Sequence, residues 1–150
     1  MIFNSLNQPY PKSRYSVSAP NGMVSTTSPL ASSVGIEIMK KGGNAVDAAV
    51  AMAAMLTVVE PCSNGVGSDA FAIVWMKNKI YGINGSGVTP KDISIDKVKK
   101  LGYEEMPKRG WIPIMVPGAP ATWADLIERF GNLSLSEVLE PAAKYAEEGF

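Results

Sequence analysis

The sequence predicts a layered α/β (α+β) domain in which helices pack over a mainly antiparallel pair of strands. Three features of the 150-residue chain indicate this class: two consecutive apolar helices, a pair of β-inclined runs joined by a tight turn, and two further helices near the end. A chain of this length suits one compact domain. We see no internal repeat, no low-complexity tract and no domain boundary, so residues 1–150 are treated as part of one domain.

The first elements follow a polar, proline-containing stretch, residues 1–21, for which we expect an extended lead-in. Residues 23–27 (MVSTT) are β-inclined and predict a short strand. The dipeptide Ser28-Pro29 then predicts a helix start, because serine can cap the first amides and proline is tolerated in the first turn. Leu30, Val34 and Ile38 recur every fourth residue and predict a buried face, and Gly42 supplies the stop.

A second helix is predicted from Asn44, where Asp47 three residues later indicates a capping box. Its body, AVDAAVAMAAMLTVV, is apolar on nearly every side, which is typical of a helix enclosed by neighbours. Glu60-Pro61 ends it, since the residue before proline is disfavoured in the helical region.

A β-hairpin follows. Residues 70–76 (AFAIVWM) are apolar at successive positions and predict a strand covered on both faces. Residues 77–79 form the predicted turn, and residues 80–83 return as the second strand. Helices are then expected over residues 94–101, 121–130 and 135–148. Ser134 and Glu137 predict a capping box at the start of the last one.

Composition excludes several functions. Lys+Arg and Asp+Glu both number 14, so the net charge is zero and we expect neither nucleic acid nor an anionic membrane as partner. The most apolar stretch, residues 45–59, is shorter than the ~20 residues that a membrane-spanning helix needs. The start shows no secretory signal, and one cysteine fits a reducing compartment, so a cytoplasmic protein is expected.

The absence of histidine is the most informative count. Ser–His and Cys–His nucleophile pairs cannot be built from these residues, and histidine metal sites are excluded. We expect no metal and no cofactor. Any covalent chemistry therefore needs another base or residues from outside the chain.

Several motifs have both a functional and an ordinary structural interpretation. The loop at residues 65–68 (GVGS) lacks the Gly-Lys-Ser/Thr of a phosphate-binding loop, so turn glycines are favoured. Asp69 is more simply a turn or capping residue than a functional carboxylate. Cys62 has no activating neighbour in sequence and is expected to be a small packed side chain.

A structural role is also favoured over a functional one for two further groups of residues, the lysines near residue 98 and the tryptophans. A solvated helix face is expected for Lys97, Lys99 and Lys100. Core positions are expected for Trp75, Trp111 and Trp123 in preference to a ligand platform. No constellation within these residues performs chemistry by itself.

Four blocks, in this order, carry a family resemblance: GMVSTTSPLASSVGIEIMKKGGNAVDAAVAMAAMLTVVEP, SNGVGSDAFAIVW, VPGAPATWADLIERFG and LEPAAKYAEEGF. Together they resemble γ-glutamyltranspeptidases, which are N-terminal nucleophile hydrolases, and KKGGNAVDAAVA is the most specific part. The resemblance implies the N-terminal portion of a four-layer αββα sandwich. It also implies a precursor that cuts itself into a large and a small subunit.

In that family the freed threonine is the nucleophile, and its own α-amino group is the base. The resemblance places this threonine well beyond residue 150. None of the threonines here matches the nucleophile motif, namely Thr26, Thr27, Thr57, Thr89 and Thr122. We therefore expect no catalytic residue in this chain, which alone should be inactive, as a natural or artificial fragment of the large-subunit region.

One substrate-binding position of the family should lie within the chain. γ-Glutamyltranspeptidases carry an arginine after the hairpin that grips the substrate α-carboxylate, and a related branch carries it two residues later. Aligning residues 84–90 (NGSGVTP) on Pro90 puts Ser86 at the first position and Val88 at the second. Because a neutral hydroxyl is a weaker partner for a carboxylate than a guanidinium, altered acyl-group recognition is expected.

The resemblance thus implies a γ-glutamyltransferase or glutathione hydrolase-like enzyme that cleaves or transfers a γ-glutamyl or related acyl amide through an acyl-enzyme. Its partners would be that small-molecule amide and the remainder of the large and small subunits, with homo-oligomerisation left open. The alternative is a non-catalytic fragment or degenerate copy that acts as an interaction partner.

Overall fold

The computed structural model describes residues 16–150. The predicted lead-in therefore lies mostly outside the described residues, and its last part, residues 16–21, is exposed and contains neither helix nor strand. The elements run in the order α1 (Pro29–Lys40), α2 (Ala45–Val59), β1 (Ala70–Met76), β2 (Lys79–Gly85), α3 (Ile95–Lys100), α4 (Ala119–Phe130) and α5 (Leu135–Glu148). None of the helices in residues 16–150 is long and apolar enough to cross a bilayer.

Helices α1 and α2 make the most extensive helix–helix contact within residues 16–150. The α1 face containing Val34 and Ile38 is buried, as the fourfold spacing predicts. Gly35 lies so close to Met52 of α2 that a Cβ there would stand 2.7 Å from its sulfur. Gly42 has a φ of 101°, so the left-handed stop predicted after α1 is confirmed.

The predicted capping box at the start of α2 is also confirmed. The Asn44 side chain accepts hydrogen bonds from the backbone N–H groups of Val46 and Asp47, and Asp47 accepts one from the Asn44 N–H at 2.7 Å. The Asp47 side chain is fully buried. Its two oxygens also accept the backbone N–H groups of Asn132 and Leu133, at 3.0–3.2 Å. One carboxylate therefore connects the start of α2 to the α4–α5 loop.

Strands β1 and β2 form the predicted antiparallel hairpin, with Ala70 opposite Gly85 and Met76 opposite Lys79. Lys77 and Asn78 both have positive φ, of 52° and 59°, which is the geometry of a tight type I′ turn. The second strand is longer than the predicted residues 80–83.

One face of the hairpin packs against α4 and the core through Val74, Ala72 and Tyr81. The opposite face carries Phe71, Ile73, Trp75 and Ile80, which are 65–83% exposed. The prediction that β1 is covered on both faces is therefore wrong for the described structure, because no element of residues 16–150 lies over this second face. The prediction of a core position for Trp75 is wrong for the same reason.

The predicted strand at residues 23–27 is wrong as well. Its side chains alternate between partly buried and exposed, as β propensity suggests, and Val24 packs against the core. However, no strand in the described part of the chain lies beside it, and without ladder hydrogen bonds the segment is only extended backbone.

The last helices follow the predictions with small shifts. Helix α3 covers residues 95–100 with Ser94 as its cap, and α4 begins two residues earlier than predicted. Helix α5 has the predicted bounds and the predicted capping box. The hydroxyl and the backbone N–H of Ser134 both donate to the Glu137 carboxylate, at 2.6 and 2.9 Å, and hold its pKa below the ordinary value.

Candidate functional site

Three loops meet at the open end of the hairpin: residues 65–69 before β1, residues 86–90 after β2, and residues 111–118 before α4. They meet because β1 begins opposite the end of β2. The Ser68 carbonyl accepts the N–H groups of Gly118 and Ala119, at 3.2 and 3.0 Å, and Val116 N–H donates to the Val88 carbonyl at 2.9 Å. Backbone hydrogen bonds thus hold the three loops to one another.

Glycines make this close approach possible. A Cβ on Gly118 would stand 2.6 Å from the Gly87 nitrogen and closer still to the Gly85 carbonyl oxygen. Gly87 has a φ of 81°, and a Cβ there would collide with the Val116 carbonyl. Because these neighbours are backbone atoms, they cannot move aside as a flexible side chain could.

Ser86 lies in a pocket of about 290 Å³ between the loops, which we call the Ser86 pocket. Its other lining residues are Gly67, Ser68, Asp69 and residues 113–117. Ser86 is partly buried, and its backbone N–H donates to the Asn84 side chain at 3.1 Å. Within residues 16–150, the lining offers two hydroxyls, one carboxyl group and an apolar wall, with no lysine or arginine.

Val88 lies in a second pocket of about 400 Å³, which shares Val116 and Pro117 with the first. Asp125 of α4 also lines this Val88 pocket. Its carboxylate accepts a hydrogen bond from Arg129 at 3.0 Å, and that guanidinium lies 4.9 Å from the centre of the Phe130 ring. The pair was missed in the sequence, although its i,i+4 spacing on a predicted helix is a recognisable signal.

The threonines have structural roles or no partner. The hydroxyls of Thr57 and Thr122 donate to carbonyls of their own helical turns, at 2.7 and 2.9 Å. The Thr27 hydroxyl donates to the Glu60 carboxylate at 2.6 Å, which joins the segment before α1 to the end of α2. The buried Thr26 hydroxyl has no hydrogen-bond partner among residues 16–150.

For the other residues given a structural interpretation from the sequence, some predictions are confirmed and others are wrong. The loop at residues 65–68 is the predicted turn, closed by Ser68, whose N–H and hydroxyl both donate to the Gly65 carbonyl. Trp123 is buried as predicted, but Trp111 is 89% exposed, so that prediction is wrong. Cys62 is also exposed and not packed, because it lies in the turn beyond the apolar surface of α2.

The remaining predictions concern charge and metals. The predicted solvated face of α3 is confirmed, with its three lysines exposed around the buried Val98. Within residues 16–150, no cluster of acidic or cysteine side chains is arranged to hold a metal ion.

Comparison with known proteins identifies the relationship. The family described as Gamma-glutamyltranspeptidase matches residues 31–150. The chain belongs to this family. It is 42% identical over 140 residues to the glutathione hydrolase-like YwrD proenzyme of Bacillus subtilis, covering 90% of this chain and 26% of that protein. It is 38% identical to the acylase ACY 1 proenzyme of Pseudomonas sp. strain V22, covering 86% and 25%.

Solved structures agree with the sequence comparison. A cephalosporin acylase from Bacillus halodurans is 54% identical with a TM-score of 0.89, and the match covers 100% of this chain and 28% of that one. The γ-glutamyltranspeptidase of Helicobacter pylori is 29% identical with a TM-score of 0.78, covering 91% and 40%. The family resemblance and the mixture of helices with a small antiparallel sheet are confirmed. The chain spans about a quarter of the curated relatives' length, and the full four-layer sandwich stays a prediction.

Proposed function

We propose that this chain is the substrate-side scaffold of an amide hydrolase or acyltransferase that acts on γ-glutamyl or related acyl groups. The observation that carries the proposal is the family match over residues 31–150, with relatives named as glutathione hydrolase and acylase proenzymes. Since the chain spans about a quarter of those relatives, the activity is assigned to the whole protein.

In the proposed reaction, a threonine outside this chain attacks the amide carbonyl while its own α-amino group accepts the hydroxyl proton. An acyl-enzyme forms, the amine leaves with that proton, and water or a second amine then takes the acyl group. This chemistry suits a chain without histidine, because the nucleophile and the base belong to one residue.

The contribution of this chain is the Ser86 pocket and the loops that build it. Ser86 and Val88 occupy the two positions at which an arginine would contact a substrate carboxylate in the family. A bidentate guanidinium contact is roughly twice as strong as a neutral hydrogen bond, so recognition of a γ-glutamyl α-carboxylate should be weakened. The competing explanation is that an arginine from outside the chain supplies the contact.

Two measurements on the whole protein test the proposal. Mass spectrometry should show cleavage into two subunits, the smaller beginning with threonine. The cleaved protein should hydrolyse acyl-p-nitroanilides, and less efficiently with γ-glutamyl than ordinary family members do. An uncleaved protein without amidase activity would overturn the proposed enzyme. Ordinary γ-glutamyl efficiency would overturn only the altered recognition.

One observation supports the alternative of a non-catalytic interaction partner. The exposed apolar hairpin face suits a covering element, which could be a separate protein instead of the enzyme's second sheet. Expression of residues 1–150 alone distinguishes the two proposals. A scaffold cut from a larger domain should aggregate through this face, whereas a folded monomer with strong hydrogen-exchange protection would count against the enzyme.

A further inference from the structure

The Ser86 pocket has a charge pattern that suits only some acyl groups. Among the described residues that line it, Asp69 is the one ionisable side chain, and the hydroxyls of Ser68 and Ser86 are neutral. Ile114 and Met115 supply an apolar wall. A methylene chain could lie along that wall, with its far end near the serines and the aspartate.

The neighbouring Val88 pocket differs in this respect. Its carboxylate, Asp125, is already paired with Arg129 at 3.0 Å, and so contributes little net charge to its surroundings. Asp69 has no such salt bridge with any residue from 16 to 150, and it is exposed. The uncompensated negative charge at the loop junction therefore belongs to the Ser86 pocket.

We infer, on the basis of the function proposed above, that Asp69 and Ser86 make the enzyme select acyl groups whose far end is uncharged or carries an amine, and reject those ending in a carboxylate. A carboxylate in this pocket would meet a like charge that no cation of residues 16–150 compensates, whereas an ammonium group would be attracted. Asp69, which the sequence favoured as a turn residue, is thereby a specificity-determining residue.

The test uses the whole, self-cleaved protein and four p-nitroanilides that share a butyryl chain and differ in the groups on its far carbon. The γ-glutamyl compound carries an amine and a carboxylate, the glutaryl compound only a carboxylate, the 4-aminobutyryl compound only an amine, and the butyryl compound neither. We expect kcat/KM for the 4-aminobutyryl compound to exceed that for the glutaryl compound by at least about tenfold, with the butyryl compound between them.

Two variants assign the preference to the named residues. D69N should reduce the ratio of 4-aminobutyryl to glutaryl hydrolysis several-fold. S86R should raise glutaryl and γ-glutamyl hydrolysis relative to butyryl. The matched control for D69N is E128Q, which also removes one negative charge but at an exposed position on α4. E128Q should leave all four rates unaltered.

The outcomes separate this inference from the proposed function. If the enzyme hydrolyses anilides but prefers the glutaryl or γ-glutamyl compound to the butyryl one, the inference is wrong and the amidase stands. If D69N lowers all four rates equally, Asp69 is only structural and the inference also falls. If none of the four compounds is hydrolysed and no subunit begins with threonine, the proposed function fails and the inference fails with it.

Discussion

Asp47 should stabilise the packing of α2 against the α4–α5 loop. Replacing it tests how much its buried carboxylate contributes to the stability of the fold. Its side chain is 0% exposed and accepts three backbone N–H groups. Oδ2 faces the N–H groups of Asn44 and Asn132, while Oδ1 faces those of Asn132 and Leu133. Both oxygens therefore act as acceptors.

This arrangement makes D47N more than a conservative change. Whichever way the new amide turns, its NH₂ group points at a backbone N–H that has lost its acceptor. A buried donor without a partner costs about 1–3 kcal/mol, so D47N should destabilise the protein by roughly that amount. D47A leaves all three donors without the carboxylate and should cost on the order of 3–5 kcal/mol.

Hydrogen exchange and thermal melting of the whole protein measure the effect. D47N should lower Tm and speed amide exchange at Asn132 and Leu133, the donors distant in sequence. D125N removes a carboxylate from an exposed i,i+4 pair and should change stability by less than about 0.5 kcal/mol. The reasoning is refuted if D47N melts and exchanges like D125N. It is equally refuted if D47N abolishes amidase activity without affecting melting, since Asp47 would then serve the reaction and not the fold.

Two further predictions concern the loop junction and the last helix. G118A should lower both Tm and amidase activity, because its methyl group would press on the backbone of Gly85 and Gly87. G67A, in the loop before β1, should do neither, because no atom of residues 16–150 lies within 4 Å of a Cβ added there. The lowered pKa of Glu137 means that its ionised form stabilises the folded state above the ordinary value of 4.5, and that this contribution disappears as pH falls through the folded-state pKa. Melting curves should therefore show E137Q less stable than the parent at pH 7, with the gap closing at pH values below 4.5; a gap independent of pH would contradict the capping role.

The elements that sequence reasoning located correctly are those whose signals are local. Asn44 and Asp47 lie three residues apart, and the cap that they form needs only one helical turn. The hairpin turn depends on Lys77 and Asn78 and the strands directly beside them. Gly42 ends α1 by its own backbone conformation. Each of these choices is decided by neighbours along the chain, so the sequence carries the information in one place.

The candidate site could not be located in the same way, because it is non-local. Ser86 was marked only by the family resemblance, and nothing near it in sequence places Asp69 or Ile114 in the same pocket. That meeting depends on the strand register and on the glycine contact between Gly118 and residues 85–87. Asp47 likewise accepts the N–H groups of Asn132 and Leu133, which lie 85 and 86 residues away, and no local pattern in the sequence predicts these contacts.

The disagreement at β1 between the predicted and the observed burial has a different origin. Residues 70–76 are apolar at successive positions, a pattern typical of strands buried on both faces. Helix α4 and the core cover one face, and Phe71, Ile73 and Trp75 stand exposed on the other. Leaving three large apolar side chains in water is unfavourable, by about 25 cal/mol for each Å² that could be buried. The pattern therefore favours a covering layer on this face, which is where the predicted two-sheet sandwich would place one.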